Sequence, residues 1–87
     1  MTLHTFNKPS VVNENLRFVA PGDQILLIED GVYASLSQPQ VAEHGNLFAL
    51  DIDVKARGIA VDSSCKTISY DEFVTLCVDA DHIKNWF

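Results

Sequence analysis

The sequence predicts an α/β fold, with three layers (α/β/α) around a small, open, mainly parallel sheet of about four strands. Two observations carry that prediction. Ile25, Leu26, Leu27 and Ile28 run without polar alternation, as do Leu47, Phe48, Ala49 and Leu50. Short solid runs of this kind read as strands buried on both faces. Around them, apolar residues recur at helical spacing, so strand and helix alternate along the chain. That is the pattern of crossover units and parallel pairing.

Thr2–Phe6 suits a short first strand. Asn7-Lys8-Pro9-Ser10 breaks it, with Ser10 placed to cap the next helix. Val12, Leu16, Val19 and Ala20 then share one helical face, opposite Asn13, Glu14 and Arg17, and Pro21-Gly22 ends the helix. The run at 25–28 is the stretch around which the rest is organised. Glu29-Asp30-Gly31 follows at its carboxyl end, where open α/β sheets place a ligand or partner crevice. Asp30 is positioned to cap the second helix, with Val32, Tyr33 and Leu36 turned inward.

Ser37-Gln38-Pro39 interrupts that helix, and a short helical piece carrying Val41 and Ala42 closes at Gly45-Asn46. After the third strand, Asp51 is placed to cap a brief helix through Ile52, Val54 and Ala56, which Gly58 stops. Ile59 and Val61 lead to the loop Asp62-Ser63-Ser64, and Thr67-Ile68-Ser69 carries the faintest strand pattern of the four. Ser69-Tyr70-Asp71-Glu72 has the form of a capping box. Behind it Phe73, Leu76, Cys77 and Ala80 define a helix face, and Asp79 and Asp81 oppose the helix dipole and imply an early end. Trp86 and Phe87 close the chain as large apolar groups expected to pack on the body or on another subunit.

With 87 residues the chain has room for one domain, residues 1–87, and for no second core. The hydrophobic share is 47% and the mean hydropathy +0.08, high for so little interior, so assembly is expected, as a homo-oligomer or with other proteins. The net charge is −6, and the 6 Lys and Arg are scattered. Direct nucleic-acid binding, which needs a clustered basic footprint, is not expected. No apolar run reaches membrane-spanning length, and M-T-L-H-T-F lacks the basic region and apolar block expected of a signal peptide. Two cysteines make no disulfide framework, so a cytoplasmic protein with free thiols is expected.

Cys65, in a polar loop beside Lys66, is the one candidate nucleophile, since a neighbouring cation favours a thiolate. No base or second thiol pairs with it, and an ordinary exposed cysteine is the plainer reading. Cys77 falls on an apolar helix face, as a core residue does. His4, His44 and His82 have no metal-ligand spacing, so no metal is expected, and His4 reads as a hydrogen-bonded structural histidine. Glu29 and Asp30 have the chemistry for acid–base work, but a solvated Glu29 and a capping Asp30 explain them more simply. No nucleotide-binding or nucleophile-elbow motif is present, and no cofactor is expected.

Several stretches together resemble one family, the small DsrE/F/H-like proteins of sulfur relay, in the TusB/DsrH branch. They are Leu3-His4-Thr5-Phe6-Asn7-Lys8, Leu27-Ile28-Glu29-Asp30-Gly31-Val32-Tyr33-Ala34, Lys55-Ala56-Arg57-Gly58, Tyr70-Asp71-Glu72-Phe73-Val74 with Leu76, and Trp86. The resemblance implies a subunit of a heteromeric complex, a dimer of heterotrimers with two sister TusD/TusC-like subunits of the same fold. In such a complex a cysteine of the TusD-like sister takes sulfur as a persulfide and passes it to a TusE/DsrC-like acceptor. The sulfur ends in the 2-thiouridine of the tRNA wobble position in one branch and feeds dissimilatory sulfur oxidation in the other.

Where some members of the branch carry a cysteine on the first helix, this chain has Asn15, which cannot form a persulfide. The chain is also shorter than familiar members between Gly45 and Leu47 and between Gly58 and Lys66. The resemblance therefore implies a non-catalytic subunit. Glu29, Asp30, Gly31, Val32, Tyr33, Trp86 and Phe87 are its candidate contact residues, and a stand-alone thiol sulfurtransferase using Cys65 is the rival.

Overall fold

The computed structural model describes residues 1–44, 46–61 and 63–87, with the backbone alone at Pro39. The expected Gly45 stop and the first residue of the loop at Asp62 lie outside the described residues.

The two solid apolar runs lie side by side at the centre of the sheet. Strand β2 (Gln24–Leu27) pairs in parallel with β3 (Leu47–Leu50), Ile25 opposite Leu47 and Leu26 opposite Phe48. On its other side β2 pairs with β1 (Thr2–Phe6), and β3 pairs outward with β4 (Cys65–Ile68). A fifth strand, β5 (His82–Trp86), pairs with β1, so the sheet has five parallel strands in the order β4-β3-β2-β1-β5. The count is thus one above the expected four. The added strand, H-I-K-N-W, has no apolar run to announce it; its place comes from pairing with β1, eighty residues back in the chain. Interior strands need apolar side chains on both faces and edge strands do not, which is why the three central strands are the ones the sequence marks most plainly.

From β1 to β4 each crossover steps one way, and the last returns over the sheet to the far side of β1. Right-handed crossovers then put the first helices on one face and the last helix on the other. Helices α1 (Pro9–Asn15), α2 (Ala34–Ser37) and α3 (Asp51–Ala56) cover the first face with turns of 3-10 helix at Leu16–Phe18, Glu29–Tyr33 and Pro39–His44. Their Val11, Val12, Val32, Ala34, Val41 and Val54 pack on Phe6, Ile25, Leu27, Leu47 and Ala49 of the strands. The second face is covered by α4 (Tyr70–Asp79) alone, whose Phe73, Leu76 and Cys77 rest on Leu3, Leu26, Phe48 and Ile68.

The capping box forms as expected: Ser69 Oγ accepts from the Glu72 N–H at 3.2 Å, and the Glu72 carboxylate accepts from the Ser69 N–H at 3.1 Å. The helix stops at Asp79, before the second of the two carboxylates that oppose its dipole. Gly58, at φ +63°, follows the last turn of α3 in the left-handed conformation that favours glycine. Other expected caps do not form. Lys8, not Ser10, precedes α1, which starts on Pro9, where the missing N–H costs nothing. Leu50 precedes α3, so Asp51 is its first residue and binds Lys55 at 2.9 Å instead.

Candidate functional site

The carboxyl end of β2 leads into Glu29–Tyr33, a 3-10 turn preceded by Ile28 with no side-chain cap. Asp30 therefore caps nothing; it turns outward and accepts from Arg57 Nε at 2.9 Å. That hydrogen bond and the charge of Asp30, with Asp53 beside it, hold the Arg57 guanidinium above its ordinary pKa against the opposing effect of burial. Asp53 in turn accepts from the Glu29 N–H at 2.8 Å, so β2's exit is tied to α3. Glu29 itself is held at φ +50°, a left-handed conformation that costs an L-residue roughly 1–2 kcal/mol.

Gly31 is buried against the end of β1, and a Cβ there would overlap the carbonyl oxygen of Phe6. Val32 is fully buried in the core below. The segment thus divides by function: Gly31 and Val32 anchor it, while Glu29, Asp30 and Tyr33 remain at the surface. It does not lie at the point where the strand exits diverge. Chain leaving β2 and β3 turns to the first face, and chain leaving β4 turns to the second. The divergence falls between β3 and β4, a consequence of the return crossover to the unforeseen fifth strand.

Cys65 is not in a loop. It opens β4, is buried, and packs into the core of the first face. Successive strand residues point to opposite faces. The exposed Lys66 ammonium therefore lies across the sheet from the Cys65 thiol, although the two are neighbours in sequence. Cys77 is half-buried under α4, and burial pushes its thiol pKa up, away from the nucleophilic form. Asn15, at the end of α1, donates from Nδ2 to the Val11 carbonyl at 2.9 Å. Among the described residues no three His, Cys, Asp or Glu gather as a metal site requires, and no helix is long and apolar enough to cross a membrane.

The structure adds a cluster that the sequence left scattered. His4 is buried in β1, its Nε2 3.0 Å from Asp23 Oδ2 and its Nδ1 3.1 Å from Trp86 Nε1. An indole can only donate, so Nδ1 accepts and the imidazole proton sits on Nε2, aimed at Asp23. Asp23 also accepts from the backbone N–H of Thr2 at 3.1 Å and of Ala20 at 3.0 Å. Trp86 is half-buried, stacked between Phe18 and the His4–Phe6 pair, with ring centroids 5.6 and 6.3 Å away. The structural reading of His4 therefore holds, and Trp86 packs on the body of the molecule. Phe87, beyond β5, stays 78% exposed. No spacing rule could join His4, Asp23 and Trp86; the pairing of β1 with β2 on one side and β5 on the other does.

Between α4 and the strands β3 and β4 lies an open groove of about 310 Å³, lined by Phe48, Lys66, Ile68, Glu72, Thr75 and Leu76. Its floor is apolar, with one cation and one carboxylate at the rim. No nucleophile with an activating base stands among these lining residues.

Known proteins match the chain in sequence. The family model described as DsrH like protein matches residues 8–83. A protein from Cronobacter sakazakii named Protein TusB is 44% identical over 70 residues, covering 72% of this chain and 74% of the relative. Proteins of the same name from an Enterobacter species and from Yersinia pestis are 35% and 37% identical over 78 residues, each covering 82% of both chains.

Proposed function

The chain belongs to the DsrH-like protein family, and from that premise we propose that it is a non-catalytic subunit of a heteromeric sulfur-relay complex. The complex serves 2-thiolation of the wobble uridine of tRNA, the branch to which the TusB resemblance points. In this reading the chain, as one DsrH-like domain, joins two sister DsrE/F-like subunits in a dimer of heterotrimers in the cytoplasm. A sister's cysteine carries the persulfide, and a TusE/DsrC-like protein receives it. Glu29–Tyr33 and the terminal Trp86 and Phe87 belong to the subunit contacts, through the exposed Glu29, Asp30, Tyr33 and Phe87.

One observation supports this reading above the others: both thiols are placed for packing. Cys65 lies in the core, on the face of the sheet opposite to Lys66, and Cys77 is made less acidic by burial. The rival, a sulfurtransferase working through Cys65, needs an accessible thiolate and has a buried strand residue instead. The test is native mass spectrometry of the tagged protein drawn gently from its own cells. Two co-purifying proteins of similar size in equal stoichiometry, doubled overall, are expected. A homo-oligomer alone overturns the subunit reading. Within the assembled complex, replacing both cysteines by serine is expected to leave sulfur transfer intact, and its loss overturns the non-catalytic role.

A further inference from the structure

His4 is a buried imidazole with one ring proton and two partners. It is 1% exposed, its Nε2–H points at Asp23, and its Nδ1 accepts the indole N–H of Trp86. Trp86 belongs to β5, an edge strand that pairs with β1 and has no fully buried residue of its own. The indole hydrogen bond is therefore a tie between the buried part of the sheet and its outermost strand.

A second proton on the ring can bind only at Nδ1, because Nε2 already carries one. An imidazolium has two donors and no acceptor, so its Nδ1–H would meet the indole N–H donor against donor. Two buried N–H groups without an acceptor are costly. That cost disappears when the indole moves off and water reaches Nδ1. A doubly protonated His4 and a tied Trp86 thus exclude one another.

The charged groups around His4 come from each element packed on it. Asp23, just before β2, also accepts from the N–H groups of Thr2 and Ala20, and it is a carboxylate able to neutralise an imidazolium. On β5, Lys84 pairs with His4 in register, and its ammonium lies 5.9 Å from the centre of the Trp86 ring. His82 opens the same strand and is exposed. Beside α1, Arg17 lies 4.9 Å from the centre of the Phe18 ring that stacks on Trp86. The N-terminal amine is engaged by Asp81 at 2.6 Å. Of these groups only Asp23 bonds to the imidazole.

We propose that His4 is a proton-operated latch on β5. Neutral, it holds Trp86; doubly protonated, with Asp23 as counter-ion, it lets Trp86 go and loosens the edge strand together with the exposed Phe87. Each release takes one proton from solvent onto Nδ1, and each closure returns it. Acid favours the released form because that form alone binds the extra proton. The latch lies within the chain and stands whether or not the subunit reading does.

The test follows the isolated chain from about pH 8 to about pH 5, the range in which imidazoles change charge. The readouts are NMR of the His4 ring and of the Trp86 indole, and the emission of the chain's only tryptophan. At the alkaline end the Nε2–H tautomer and a protected indole N–H are expected. On acidification both ring nitrogens become protonated and the emission moves to longer wavelength. Below the midpoint the indole protection factor falls by up to about tenfold per pH unit. The change is one transition that reverses on return to pH 8, with the signals of β2 and β3 in place throughout. Asp23→Asn removes the counter-ion and is expected to keep the latch closed further into acid; His82→Gln is expected to leave the transition unmoved. A doubly protonated His4 beside a still protected indole overturns the proposal, as does an indole unchanged down to pH 5. A transition that shifts with His82→Gln, ignores Asp23→Asn or unfolds β2 and β3 along with β5 overturns it as well.

Discussion

Asp23 is the residue on which the start of the sheet depends. Burial acts to raise its pKa, but the His4 hydrogen bond and the N–H groups of Thr2 and Ala20 outweigh it, and the pKa ends below the ordinary 3.8. A carboxylate lowered in the folded state contributes stability that is fully present above the unfolded value and is lost as pH falls through the folded one. The melting temperature is therefore expected to decline below about pH 4, with Asp23 among the causes. Asp23→Asn should cost about 1–2 kcal/mol at neutral pH and make that acid decline shallower. It should not abolish the decline, because Asp81, held down by the N-terminal amine, titrates as well. An acid limb parallel to that of the unaltered protein would show that Asp23 does not carry the effect. Gly31 makes a sterner case. Its missing Cβ is what lets the turn after β2 lie on the Phe6 carbonyl, so Gly31→Ala should lower stability by more than about 3 kcal/mol in a urea titration. A loss under about 1 kcal/mol, the size of an ordinary substitution, would mean that the turn can move away from β1.

At the scale of elements, legibility in the sequence depends on where the cause of each element lies. Local causes were legible. The capping box at Ser69 and Glu72 was visible in four residues and forms with both hydrogen bonds; Ser69→Ala should cost about 1 kcal/mol in the same titration. If that change left stability untouched, α4 would be held by its packing alone. Solid apolar runs were legible too, and they are β2 and β3, two of the three interior strands. Elements with distant causes were not. The edge strand β5 has no pattern of its own, and Cys65 reads as a loop residue because Lys66 and Thr67 beside it are polar, as an edge strand is allowed to be. The chemistry of Cys65 is obscured as well: Lys66 and Thr67 are exposed on opposite faces of this edge strand, and Lys66, which adjoins Cys65 in sequence, faces away from it. Asp30 reads as a cap by position, but its partner, Arg57, is twenty-seven residues on. For Glu29–Tyr33, then, the place at the end of β2 was legible and the internal wiring was not.

For the whole molecule, the arrangement of burial implies a gradient of stability. The first face of the sheet carries three helices and most of the fully buried side chains; the second carries one helix, none of whose residues is fully buried. Local opening is cheapest where buried apolar contacts are fewest. In the isolated chain, α4 should therefore open without the rest, and β5 should be retained longer, through its full-length pairing with β1 and the anchoring of Trp86 by His4. The order expected from native-state hydrogen exchange is α4 fastest, β5 intermediate, and β1, β2 and β3 slowest and close to global unfolding. Trp86→Phe keeps an aromatic ring but loses the indole donor, and should move β5 towards the α4 rate while leaving β2 and β3 in place. Equal protection of α4 and β2 would mean that the single helix is bound as firmly as the other face.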